Sequence, residues 1–214
     1  MYAGQTASYN GYQYCLFPLD YMNCTQTSDP SSFSHCCGHP CDWVGPTRNY
    51  PFYAPCDCHR IQYLPEYAQV TYCSDNPVWT PSGLHYVTFT VVHDESIPSQ
   101  TSFSQGELLG HTGQDGYAFG DHVHIDQSLY ADDYPVSYGI YCSGGNLCSA
   151  QAHSTYPQDV FYLGGSETIV NLQGMTFETV PDHPGPGGSL PAVMLLLFKK
   201  ATERLKGNVR LRRL

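Results

Sequence analysis

Gly120-Asp121-His122-Val123-His124-Ile125-Asp126 is the stretch from which the rest of the chain can be read. β-Branched residues alternate with polar ones behind a glycine-rich turn, which is the pattern of a strand. Successive strand side chains point to opposite faces, so His122, His124 and Asp126 share one face, and Val123 and Ile125 the other. The apolar pair can enter a core while two imidazoles, roughly 7 Å apart, project together into a cleft. Such a pair suits a metal ion and its water: one imidazole binds the ion and the other handles a proton. A plain surface strand carrying two histidines would show the same seven residues, so the surroundings decide.

Upstream, residues 84–93 alternate as a strand, with His85, Val87, Phe89, Val91 and His93 on one face. His93 ends that strand where it meets a loop, a common place for a working residue. His85 lies eight positions back, more than ~25 Å along a straight strand, and reads as structural. Residues 105–110 give a turn and a short strand, and 111–116 a second glycine-rich turn. Strands 84–93, 107–110 and 121–126 are expected to be neighbours in an antiparallel sheet. A strand pair is expected over 56–63 and 68–74, a turn over 77–83, and another strand pair over 167–180. Residues 127–165 read as loops and short strands covering the sheet.

Composition agrees with an all-β fold: 18 Tyr, 20 Gly and 16 Pro leave few helix formers, and charged residues are only 13% against about 25% on average. The expected organisation is a lead-in over 1–14, one β-dominated domain over 15–180, a Pro/Gly linker over 181–190, and a basic amphipathic helix or tail over 191–214. The net charge of −10 hides an asymmetry. Residues 1–198 carry 2 basic groups, Arg48 and Arg60, against 18 acidic ones, whereas 199–214 carry 7 basic and 1 acidic. An acidic body repels phosphates and argues against nucleic acid as a partner. The chain opens without a basic start and apolar run, so no signal peptide is expected. Its longest apolar run, 190–198, is interrupted by Pro191 and is far shorter than the ~18 residues of a membrane span. Work outside a cell would then follow from assembly into a particle or from lysis. Ten cysteines allow disulfides, with Cys142–Cys148, Cys15–Cys24 and Cys73 with Cys56 or Cys58 as pairings to test, or buried free thiols.

The run Gly106-Glu107-Leu108-Leu109-Gly110-His111-Thr112-Gly113, followed by 120–126, resembles the C-terminal half of the lysostaphin/LytM zinc endopeptidases, peptidase family M23. Val91-Val92-His93 fits the family's earlier strand-ending His. His35 and Asp42, in Ser34-His35…Asp42-Trp43-Val44, fit its upstream His and Asp, although most members space them as His-x3-Asp. The longer spacing is similar to that of phage tail endopeptidases. The resemblance covers about residues 20–130. It implies an antiparallel sheet with a metal-site groove and long covering loops. It also implies a zinc held by His35, Asp42 and His124 with one position open for water. His93 and His122 would be the catalytic imidazoles, and Asp121 and Asp126 could orient ligand imidazoles. The implied activity is cleavage of peptide cross-links in bacterial peptidoglycan, in a virion, on a phage tail with other tail proteins, or after release by lysis. A non-catalytic wall- or carbohydrate-binding module and a structural tail protein are the alternatives. A second, structural zinc on Cys36 or Cys37, Cys41, Cys56, Cys58 and His39 or His59 is a further expectation.

Overall fold

Val123 and Ile125 are buried at the centre of an eight-stranded sheet, and that sheet organises the molecule. The structure is a computed structural model and describes residues 1–29, 32, 35, 38–133 and 153–183. In chain order the strands are β1 (Ser8–Tyr9), β2 (Tyr12–Gln13), β3 (Tyr21–Gln26), β4 (Cys41–Trp43), β5 (Pro51–Tyr53), β6 (Cys58–Leu64) and β7 (Gln69–Ser74). They continue as β8 (Val78–Thr80), β9 (Gly83–His85), β10 (Thr88–Val92), β11 (Ser102–Phe103), β12 (Leu108–His111), β13 (Val123–Ser128) and β14 (Thr168–Asn171). A four-residue helix, α1 (Pro157–Val160), is the α-helix among the described residues. The fold is all-β.

The main sheet runs β11-β6-β7-β10-β13-β4-β3-β14. Its pairings are antiparallel except at one edge, where β14 lies parallel to β3. β13 is central, with β10 on one side and β4 on the other. Every residue of β10, β13 and β4 is buried, so these strands are covered on both faces. Aromatic rings fill the core edge to face: Phe17 meets Trp43, Phe161 and Phe177 with centroids 4.7, 5.7 and 5.4 Å apart. Large rings buried in this way supply much of the apolar area that drives folding.

The pair expected over 56–63 and 68–74 is present as β6 and β7. The single strand expected over 84–93 is two strands, because Tyr86-Val87 breaks it and β9 turns back onto β8 where a turn was expected. β12 does not join β10 and β13; it pairs with β5 in a separate two-stranded sheet. The second pair expected over 167–180 is the single strand β14, whose partner is β3, nearly 150 residues earlier. The lead-in holds the β1–β2 hairpin, and Met1 is buried. One compact unit spans Met1–Val180. The helix expected over 191–206, the basic tail, most of the linker, and Cys36, Cys37, Cys142 and Cys148 lie outside the described residues. No described helix is long and apolar enough to cross a membrane.

Candidate metal centre

Strand register builds the first half of the site. β13 and β4 pair antiparallel with His124 directly opposite Asp42, and facing residues on neighbouring strands bring their side chains together. His124 Nδ1 lies 3.0 Å from Asp42 Oδ1. The loop between β3 and β4 brings His35, whose Nε2 is 3.2 Å from the same oxygen. The His35 and His124 rings meet edge on, with centroids 4.8 Å apart. All three residues are buried, and their donor atoms lie within 4.8 Å of one another. Donors around a tetrahedral ion with bonds of about 2.0–2.2 Å stand roughly 3.3–3.5 Å apart, so this set fits zinc in both chemistry and spacing. It is the one such convergence of His, Cys, Asp or Glu among the described residues.

The electrostatics favour a ligand set. Burial pushes the Asp42 carboxyl up, but hydrogen bonds and charges from His124 and His35 outweigh it and hold the group well below the usual carboxylate range. Burial lowers His124 against the pull of Asp42. At neutral pH the site therefore presents a carboxylate beside a neutral imidazole, the forms that bind a cation.

His93 and His122 form the second half. Their ring centroids are 4.4 Å apart, and His93 stands 6.3 Å from His124. His93 Nδ1 is 2.8 Å from the Asp115 carbonyl oxygen, and His122 Nδ1 is 2.9 Å from that of Gly120. A carbonyl only accepts, so each ring carries its proton on Nδ1 and its lone pair on Nε2. His122 Nε2 lies 3.6 Å from Asp42 Oδ2. Burial, and then the nearby His122, lowers His93 to about 3. The His93 backbone is left-handed, with φ of 85°, a conformation costing about 1–3 kcal/mol for a residue with a side chain. Two backbone hydrogen bonds hold it: its N–H donates to Ala68 O at 3.1 Å, and its carbonyl accepts from Asp115 N–H at 3.3 Å. Gly113 presses against that carbonyl, where a Cβ would lie 2.1 Å from the oxygen.

Asp121 and Asp126 take other partners. The Asp121 carboxylate accepts from the Thr112 hydroxyl and, at 3.1 Å, from Asn49 N–H. Thr112 in turn accepts from Tyr50 N–H at 2.9 Å, which ties the start of the His-x-His segment to the 45–50 loop. Asp126 is fully buried and accepts from the Ser154 hydroxyl at 2.6 Å and from Gln127 N–H at 2.9 Å; burial raises it to about 7.

The second zinc finds no support. Cys41, Cys56 and Cys58 are buried free thiols, as are Cys15, Cys24 and Cys73, so the Cys15–Cys24 bridge and the Cys73 bridges are not formed. Cys41 hydrogen-bonds Cys24, and Cys15 hydrogen-bonds Cys56. His39 stacks on Tyr156 at 3.8 Å, and His59 Nδ1 pairs with Asp75 at 2.6 Å.

The five polar residues line one cavity of about 360 Å³ with Thr25, Gln26, Val44, Tyr117, Phe119, Gly120 and Asp121. Thr25, Gln26, Tyr117 and Phe119 were not evident as site residues in the sequence. Tyr117 and Phe119 lie between the two glycine motifs, which was the signal available.

The β-dominated fold and the His/Asp/His cluster define the class of molecule as far as geometry goes. No family model matches the sequence. The chain is 40% identical over 172 residues to Morphogenesis protein 1 of Bacillus phage B103, a match covering 79% of this chain and 45% of that protein. The chain thus spans a little under half the length of that relative. Among solved structures it is similar to a zinc-containing peptidase from Vibrio cholerae, with a TM-score of 0.38, 14% identity, and 56% and 41% of the two chains covered. It is also similar to a structure from Pseudomonas aeruginosa assigned to peptidase M23, with a TM-score of 0.34, 20% identity, and 60% and 49% covered. Scores this low have no bearing on activity.

Proposed function

We propose that this chain is a zinc-dependent endopeptidase that hydrolyses peptide cross-links of bacterial peptidoglycan as part of a phage particle. The observation that carries the reading is the meeting of His35, Asp42 and His124 from separate stretches, with two further imidazoles, in one open cavity. The sequence match to a phage morphogenesis protein supports the phage setting.

Held by His35, Asp42 and His124, zinc would supply Lewis acidity and a water whose pKa falls to about 7. His122, with its lone pair on Nε2, accepts the proton of the attacking water as general base. His93 acts at Nε2 on the oxyanion or the leaving amine. Because its resting proton sits on Nδ1, it donates at Nε2 only after His122, whose ring centroid is 4.4 Å away, passes it the proton taken from water. Water adds to the carbonyl carbon, the C–N bond breaks, and the proton leaves with the amine. Asp121 and Thr112 fix the segment that carries His122. Residues 15–180 would form the peptidase unit, with 181–214 available for docking onto a larger assembly.

Incubating the protein with purified cell walls, in zinc buffer and with a chelator, tests the reading. Free amines should appear and turbidity fall only with zinc, and His122→Ala should stop cleavage while retaining the metal. No amine release in zinc buffer overturns the proposal and leaves the non-catalytic wall-binding module.

A further inference from the structure

Between the two glycine motifs, residues 115–121 form an arm beside the metal cavity. It carries Phe119, which exposes its entire ring at 105% of the reference area, and Tyr117, which is 72% exposed. Both side chains line the same cavity as His35, Asp42 and His124. A fully hydrated aromatic ring contributes no burial to folding, so its value lies in what it meets. Gly116 and Gly120, at φ of 71° and 100°, bracket the arm, and Gly116 rides on Tyr67, whose carbonyl oxygen lies 2.9 Å from where a Cβ would be. Three carboxylates border it. Asp115 accepts from Gly116 N–H at 2.8 Å, Glu95 accepts from Gln114 N–H at 3.1 Å, and Asp121 closes the arm. One cation, Arg48, reaches Glu95 at 3.7 Å and Asp121 at 3.8 Å, so the rim stays net negative.

Exposed ring faces on an arm of net negative charge match a desolvating cation, because the ring quadrupole and the carboxylates attract the same charge. We propose that this arm is a clasp for a primary ammonium on the wall peptide next to the scissile bond, with the faces of Phe119 and Tyr117 as its grip. The inference rests on the peptidase reading for the identity of the ligand and adds a specificity determinant to it: the clasp selects cross-links that carry a free amino group over those in which it is acylated.

The test separates the two readings. The zinc-loaded, cleavage-deficient His122→Ala chain is titrated with a lysine-bearing muropeptide and with its Nε-acetylated form. The free amine should bind about five- to tenfold more tightly. Adding Phe119→Ala should cut the ratio by about two- to fivefold with zinc content unchanged. Phe119→Leu, which keeps apolar area without the ring, should do the same. Ile169→Ala, which removes an exposed apolar side chain from β14, should leave the ratio as it was. In the cleaving chain, Phe119→Ala should lower the same preference in kcat/KM. Equal binding of both peptides by the Phe119-bearing chain overturns the inference, as does retention of the preference by Phe119→Leu. Absence of wall cleavage alongside an intact, Phe119-dependent preference would instead overturn the peptidase reading and leave the clasp.

Discussion

Gly113→Ala tests whether the imidazoles of His93 and His122 work as a positioned pair. The added methyl would sit 2.1 Å from the His93 carbonyl oxygen and 3.0 Å from Glu95 N. Carbon–oxygen contacts settle at about 3.3–3.6 Å, so the two backbones must part by about 1.2 Å. Gly113 also exchanges both backbone hydrogen bonds with His122, each at 3.0 Å. The methyl therefore drives His93 and His122 apart without altering a polar side chain. A misplacement of about 1 Å costs roughly 100-fold in rate, and overpacking costs about 1–3 kcal/mol of stability. That corresponds to a fall in Tm of about 3–10 °C for a chain of this size. The proposed ligands lie on β4, β13 and the His35 loop, so bound zinc should stay near one per chain. Three measurements decide it: amine release from cell walls, metal content by mass spectrometry, and thermal unfolding. Wild-type cleavage rates from a folded Gly113→Ala chain would refute the reasoning.

Asp42→Ala should lose zinc at equilibrium dialysis, because the removed carboxylate joins the imidazoles of both proposed ligands, His35 and His124; retained stoichiometry would assign the metal elsewhere. In metal-free protein, stability should fall as pH drops below about 6.5. The unfolded chain protonates His93 near ~6.5, but the folded chain protonates it only at about 3. The unfolded state therefore holds the extra proton in that window, and the His93 contribution is at most about 1.4 kcal/mol per pH unit, with no dependence above it. His93→Gln should flatten that slope in urea midpoints measured across pH. Asp121→Ala strips a partner from Thr112 and Asn49 and should cost about 1–3 kcal/mol in denaturant unfolding, with metal retained. The six described cysteines should react with a thiol reagent only after unfolding; rapid labelling of the native chain would contradict their burial.

Short-range pattern was legible where neighbours in sequence are neighbours in space. The 120–126 alternation gave a strand with Val123 and Ile125 in the core, and the 56–74 region gave a hairpin, because period and turn are local properties. Convergence of His35 and Asp42 on His124 followed from family resemblance, since no local rule brings a loop and two strands together. Partnerships set by long-range packing stayed hidden. β12 left the main sheet for β5, and Asp121 turned to Thr112, because both choices depend on which surfaces remain after the core has closed. Tyr117 and Phe119 gave no signal as site residues, because a single ring in a short loop leaves no periodic trace.

The parallel seam between β14 and β3 imposes an order on synthesis. Until residues 168–171 have left the ribosome, the strand that leads into the His35 loop is a bare sheet margin, with its outer backbone groups in water. Contacts that distant in sequence close late and slow folding. A nascent chain that stops short of them can pair Asp42 with His124 but leaves the strand before the third proposed ligand on an open edge, so firm retention of the ion would mark a chain in which β14 has docked.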